Sequence, residues 1–170
     1  MPTDPLHAPD LTAITAAFLE ARAEFVVIGG FAVIANRHIR TTRDVDLLIP
    51  DDAENDDACL EALRQLAATR ERDDAPLTQE MLVGKTHLRV STRSGIVDLV
   101  REGVAPLDYA TVARSALQAD LGAGSFCVAG LSSVVGFKRL AGRPQDRADL
   151  AELEAIHGTL PIDPIPGLDS

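Results

Sequence analysis

The chain has 170 residues, with 26 Asp and Glu against 16 Lys and Arg, and a formal net charge of −10. That length suits one domain able to bury a sizeable core, and 46% hydrophobic with 25% charged residues is ordinary for a globular protein. The acidic balance argues against non-specific coating of DNA, which is the work of a basic surface.

In chain order, residues 1–9 are Pro-rich and read as loose, with no basic segment leading into an apolar stretch, so no secretory leader is expected. Asp10 is placed to cap a helix over 11–23. Phe25-Val26-Val27-Ile28 reads as a buried strand ending at Gly29-Gly30, with a helix from Phe31 to follow. This is the longest nearly apolar run, eleven residues over 25–35, well short of the ~20 that a membrane span needs. A second strand covers 44–49 and stops at Pro50. Residues 54–70 carry Cys59, Leu60, Leu63, Leu66 and Ala67 at helical spacing, and 70–76 form a polar loop.

A hairpin follows, with arms over 87–90 and 96–100 joined through Ser94-Gly95. Then come a short helix over 107–115, a strand over 126–128, and helices over 131–141 and from Pro144 to about 156. The tail from Gly158 contains Pro161, Pro164 and Pro166 and reads as disordered. Cys59 and Cys127 lack any metal-binding or redox spacing and read as reduced core residues, which suits a cytoplasmic protein. The order predicts an α/β (α+β) chain, a mixed β-sheet flanked by helices, rather than a doubly wound dinucleotide fold, for which Gly29-Gly30 lacks the spacing.

Three features carry chemistry. Asp44-Val45-Asp46 puts two carboxylates on one face of a strand, a pattern that can hold a hard cation such as Mg²⁺ or simply open a solvated strand. Gly29-Gly30, between strand and helix, offers either an anion site at the helix start or a tight turn needing positive φ. Asp98 interrupts the apolar run Ile96-Val97-Asp98-Leu99-Val100. Burial there demands a cation or a donor. It pairs with an arginine of the core, or it faces Asp44 and Asp46 in a site for two metal ions and accepts the proton of an attacking hydroxyl. Arg37, His38, Arg40 and Arg43 lie within seven residues, either as a charged loop or as a binding site for nucleotide phosphates or an RNA backbone.

The run Val27-Ile28-Gly29-Gly30-Phe31 followed by Arg40-Thr41-Thr42-Arg43-Asp44-Val45-Asp46-Leu47 resembles the signature of the nucleotidyltransferase superfamily related to DNA polymerase β. Residues 131–150, with Phe137-Lys138-Arg139, Ala141-Gly142-Arg143-Pro144, Asp146 and Asp149, are similar to its AbiEii-type branch, which contains toxin components of bacterial toxin–antitoxin and phage-defence systems. Many relatives have Gly-Ser where this chain has Gly29-Gly30, so no serine hydroxyl stands at position 30.

The resemblance implies a nucleotidyltransferase core over 1–130, a helical extension over 131–157 and a tail over 158–170. It implies transfer of a nucleoside monophosphate from an NTP to a hydroxyl on tRNA or protein, with a cognate antitoxin or toxin as partner. Asp44, Asp46 and Asp98 would be ligands for two Mg²⁺ ions, and Asp98 also the base. Gly29, Gly30, Arg43 and Lys138 would hold the nucleotide, with Lys138 reaching the triphosphate. Taken as bare residues, Lys138 is equally a lysine snorkelling from a helix surface, and Asp149 an exposed helix residue paired with Arg143 or Arg147. Alternatives for the whole chain are an antibiotic nucleotidyltransferase and a largely non-catalytic antitoxin-type binding module.

The charge is also uneven: residues 51–57 carry −5 and residues 151–170 carry −4, leaving −1 on the rest. A local basic site for an RNA acceptor is therefore compatible with the low overall charge.

Overall fold

A computed structural model describes residues 7–170; residues 1–6 of the segment expected to be loose lie outside the described residues. Helix α1 (Leu11–Glu20) is capped by Asp10, whose carboxylate accepts the Ala13 amide at 2.9 Å. Its buried stripe is Ile14, Ala17 and Phe18. It stops short of residue 23 because Arg22 takes φ 58°, which ends the helical turn. Strand β1 (Val26–Ile28) is wholly buried and runs directly into α2 (Gly29–Ala35), which begins at Gly29 rather than Phe31. Strand β2 (Asp44–Leu48) alternates half-buried acids with buried Val45 and Leu47.

Helix α3 (Ala53–Gln65) is capped by Asp52 through the Asn55 amide. It ends before the expected residue 70, since Ala67 takes φ 54° and turns the chain into the short strand β3 (Thr69–Arg70). The hairpin is β4 (His87–Thr92) and β5 (Gly95–Val100), with arms longer than expected. Its turn is Arg93-Ser94, not Ser94-Gly95, because Thr92 pairs with Gly95. Helix α4 (Tyr109–Arg114) leads to β6 (Leu117–Asp120), which sequence pattern did not reveal, and β7 (Ser125–Val128). Strand β6 is mostly exposed and has no β-branched run. Helices α5 (Leu131–Ala141) and α6 (Pro144–His157) close the order, separated by Gly142 in the left-handed conformation at φ 61°.

The seven strands among the described residues form one mixed sheet ordered β3-β4-β5-β2-β1-β7-β6. Strands β2 and β5 are parallel, as are β1 and β7, while the other neighbours are antiparallel. Helices α1 and α3 pack together, and α2, α5 and α6 form a second group. The central strands supply Val27, Val45, Leu47, Val97 and Leu99 to a continuous apolar core, each burial contributing about 1.5–3 kcal/mol.

The tail expected to be disordered lies on α5 instead. Ile165 is buried beside Gly136, Ser132 hydrogen-bonds Asp163, and Arg139 pairs with Asp169. Those partners fix a segment whose composition alone predicts none. Cys59 and Cys127 are free thiols, the first buried and the second half-buried. Among the described residues, no helix is long and apolar enough to cross a membrane.

Candidate functional site

The register of the sheet brings the three predicted acids together. Asp46 on β2 stands beside Asp98 on β5, and Asp98 beside Arg89 on β4. Asp44 and His87 share that face, each two residues along its strand from a member of the row. Asp44, Asp46 and Asp98 each offer a carboxylate oxygen, and these atoms lie within 4.8 Å of one another. Asp98 thus faces the other two acids and is also paired with an arginine.

The three acids are not equivalent. Asp98 has both oxygens engaged: His87 Nε2–H donates to Oδ1 at 2.6 Å, and Arg89 Nη1 donates to Oδ2 at 2.5 Å. The same Nη1 donates to Asp44 Oδ2 at 3.1 Å. Burial raises the Asp98 carboxyl above its ordinary range, although Arg89 and His87 pull the other way. Asp46 takes no hydrogen bond or ion pair among the described residues. Burial first, then the charges of Asp44 and Asp98, push it up to about 7. A carboxylate that resists ionising beside two others wants a cation. Hard oxygen donors in this arrangement suit Mg²⁺ or a similar ion, and the Arg89 guanidinium already acts as a stand-in cation on two of the three. The residues fit a divalent metal.

Both glycines are demanded by the chain itself. Gly29 has φ +66°, and a Cβ there would lie 2.0 Å from Asp46 Oδ2. A Cβ on Gly30 would lie 2.5 Å from Thr42 Oγ1 and 3.3 Å from Arg40 Nη2. The tight-turn reading of the pair therefore holds at Gly29, and the side-chain space at position 30 is filled by Thr42.

Across a cleft of about 670 Å³ stands a second group of charges, on α5, α6 and the loop before β2. Lys138 is 6% exposed, and its Nζ donates to Asp146 Oδ1 and Asp149 Oδ2, both at 2.9 Å. That burial excludes a snorkelling surface lysine. Asp149 is 0% exposed and also accepts from Arg40 at 3.0 Å and Gln145 at 3.0 Å. It is neither exposed nor paired with Arg143 or Arg147. Asp146, equally buried, accepts from Arg143 Nε at 2.7 Å. Burial raises both acids, but donors outweigh it: Arg143 and Lys138 hold Asp146 down at about 2, and Lys138 and Gln145 hold Asp149 low.

The cleft is lined by five cations (Arg40, Arg43, Arg89, Lys138, Arg143) against four acids (Asp44, Asp46, Asp98, Asp146), so it is locally basic in an acidic protein. Arg43 lines it with no hydrogen bond or ion pair among the described residues, whereas Arg37 is exposed and outside it. A smaller apolar recess of about 180 Å³, with Val100, Val134 and Phe137 in its wall, opens beside Asp46 and Lys138. Sequence reasoning missed His87 and Arg89, whose signal was the alternation His87-Leu88-Arg89-Val90 in the arm facing Asp98. No protein-family model matches the chain, and no curated protein matches it.

Proposed function

We propose that the protein is a divalent-metal-dependent nucleotidyltransferase that moves a nucleoside monophosphate from an NTP to a hydroxyl of tRNA or protein. One observation carries this reading: the carboxylate cluster Asp44, Asp46 and Asp98 and the cationic wall of Arg40, Arg43, Lys138 and Arg143 border a single cleft. Asp44, Asp46 and Asp98 would hold the divalent metal, which when bound would supply charge neutralisation at the phosphoryl oxygens of an in-line displacement. Arg43, with no hydrogen bond or ion pair among the described residues, and Arg143, which is exposed, take the nucleotide's outer phosphates. Lys138 is committed to Asp146 and Asp149, so it acts mainly by holding the wall in place.

In the transfer, the acceptor oxygen bonds to the α-phosphorus and the bond to the β-phosphate bridging oxygen breaks. Pyrophosphate leaves, and the hydroxyl proton passes to Asp98. The cleft's cationic lining suits an anionic acceptor better than a cationic aminoglycoside, since its one acid outside the cluster, Asp146, is tied to Lys138 and Arg143. The resemblance to the AbiEii-type branch supports a place in a toxin–antitoxin pair, in the cytoplasm. Three carboxylates gathered at one point speak against a purely neutralising module.

The test is incubation of purified protein with each of the four α-labelled nucleoside triphosphates, Mg²⁺, and total tRNA or cell lysate. Label should enter a nuclease- or protease-sensitive product and vanish with Asp46→Ala. Absence of label with all four nucleotides, or equal labelling by Asp46→Ala, sinks the reading.

A further inference from the structure

We infer that Arg89 is a resident cation that fills one of the two cation positions of the carboxylate cluster, so that the cluster itself takes up one divalent ion rather than two. The inference rests on the metal site of the proposed function and specifies its composition. The single nitrogen Arg89 Nη1 bridges Asp44 Oδ2 at 3.1 Å and Asp98 Oδ2 at 2.5 Å. One cation shared between two carboxylates is what a bridging metal would otherwise be. The other Asp98 oxygen is bonded to His87 at 2.6 Å, so each Asp98 oxygen already has a partner within the protein. Asp46, with no partner among the described residues, and the second oxygen of Asp44 remain for an incoming ion.

Charge agrees with geometry. Three carboxylates and one guanidinium carry −2, which a single divalent ion neutralises, whereas two such ions would leave the cluster at +2. Arg89 is also held where it is: it stands in register with Asp98 across the β4–β5 ladder, and Glu71 lies 4.0 Å from its Nε. An arginine keeps its charge at any physiological pH, so the position is filled permanently rather than conditionally. Arg89 is accordingly a positioning residue for Asp98 and a determinant of metal stoichiometry.

The experiment counts bound Mn²⁺ on the full chain, stripped with EDTA and free of nucleotide, by electron paramagnetic resonance and equilibrium dialysis. The wild type should bind one Mn²⁺ per chain, and Arg89→Gln should bind two, the first about 10-fold more tightly, since one nearby charge moves a carboxylate's cation preference by a unit or more. Arg89→Lys, which keeps the charge, should bind one. Arg64→Gln, which removes an exposed cation outside the cleft, should leave count and affinity unchanged within about 2-fold. Two Mn²⁺ on the wild type, or one on folded Arg89→Gln with no gain in affinity, overturns the role of Arg89 while leaving the metal site standing. No Mn²⁺ on any folded variant overturns both. If Arg89→Gln fails to fold, Arg89→Met, which also removes the charge, is counted in its place and held to the same outcomes.

Discussion

Asp46 and Asp146 border the same cleft, and burial pushes the carboxyl of each upward, yet they end about five pH units apart. Asp146 sits at about 2 because Arg143 and Lys138 donate to it. Asp46 sits at about 7 because burial and then the charges of Asp44 and Asp98 raise it, with no donor to it among the described residues. Both acids of the cationic wall are thus paired: Lys138 lies between Asp146 and Asp149, Arg40 on Asp149, and Arg143 on Asp146. The carboxylate cluster is not balanced, with one guanidinium for three acids. The wall's acids have their cations, whereas the cluster could still take one up.

The largest expected effect breaks the unbalanced side. Asp46→Ala should lower nucleotide transfer by more than about 1000-fold, the upper end of what loss of one charge-stabilising group costs, with little loss of stability. Steady-state transfer and thermal melts together check this. On the balanced side the effect should fall on the fold. Lys138→Met leaves Asp146 and Asp149 buried without their shared ammonium, and breaking a buried pair from one side costs about 3 kcal/mol or more. The melting temperature should drop by roughly 6–12 °C.

A substitution at the cluster should do the reverse. Asp46 has a folded pKa above its unfolded value, so its ionisation opposes folding. The effect is nil below about pH 4, grows as pH rises through the window to about 7, and is complete above it. In EDTA at pH 8, Asp46→Asn should therefore be more stable than wild type, by on the order of 2 kcal/mol, and the gain should vanish at pH 4. Saturating Mn²⁺ should stabilise the wild type and not the variant. Urea titrations at the two pH values, with and without metal, measure all of these. A variant less stable than wild type at pH 8 would show that Asp46 is satisfied in a way its surroundings do not suggest.

Much of this contrast was legible before folding, and the illegible part has definite causes. The strand alternation of Asp44-Val45-Asp46 and the acid inside 96–100 were enough to place the cluster, because side-chain direction in a strand follows from spacing alone. Arg89 was hidden by a one-residue error in the hairpin. A turn at Ser94-Gly95 sets Asp98 opposite Ser91, whereas the actual turn at Arg93-Ser94 sets it opposite Arg89. Asp149 was hidden for another reason. Its helix buries Asp146, Asp149 and Leu153 along one stripe, and a carboxylate is read as solvent-facing unless its partners are known. One of those partners, Arg40, comes from the loop before β2, 109 residues away in sequence. Likewise the tail's packing depends on Gly136, Ser132 and Arg139, which no local pattern in 158–170 announces.

The smallest expected effect probes the wall by acid. A carboxylate whose folded pKa is depressed contributes stability that is fully present above its unfolded value and is lost as pH falls through the folded one. For Asp146 that window runs from about 4 down to about 2. Asp146→Asn removes the charge that Arg143 and Lys138 share, so it should be less stable than wild type at pH 5, by about 1–2 kcal/mol. The gap should narrow steadily as the wild-type carboxylate takes up its proton, to roughly a third of its pH 5 size by pH 2.5, and close only below the folded value of about 2. Urea midpoints across that range measure it. A gap that stays constant with pH would mean that Asp146 contributes through packing and its hydrogen-bonding shape rather than through charge. The balance that sets the wall apart from the cluster would then be steric at that position, with Asp149 left as the electrostatic partner of Lys138.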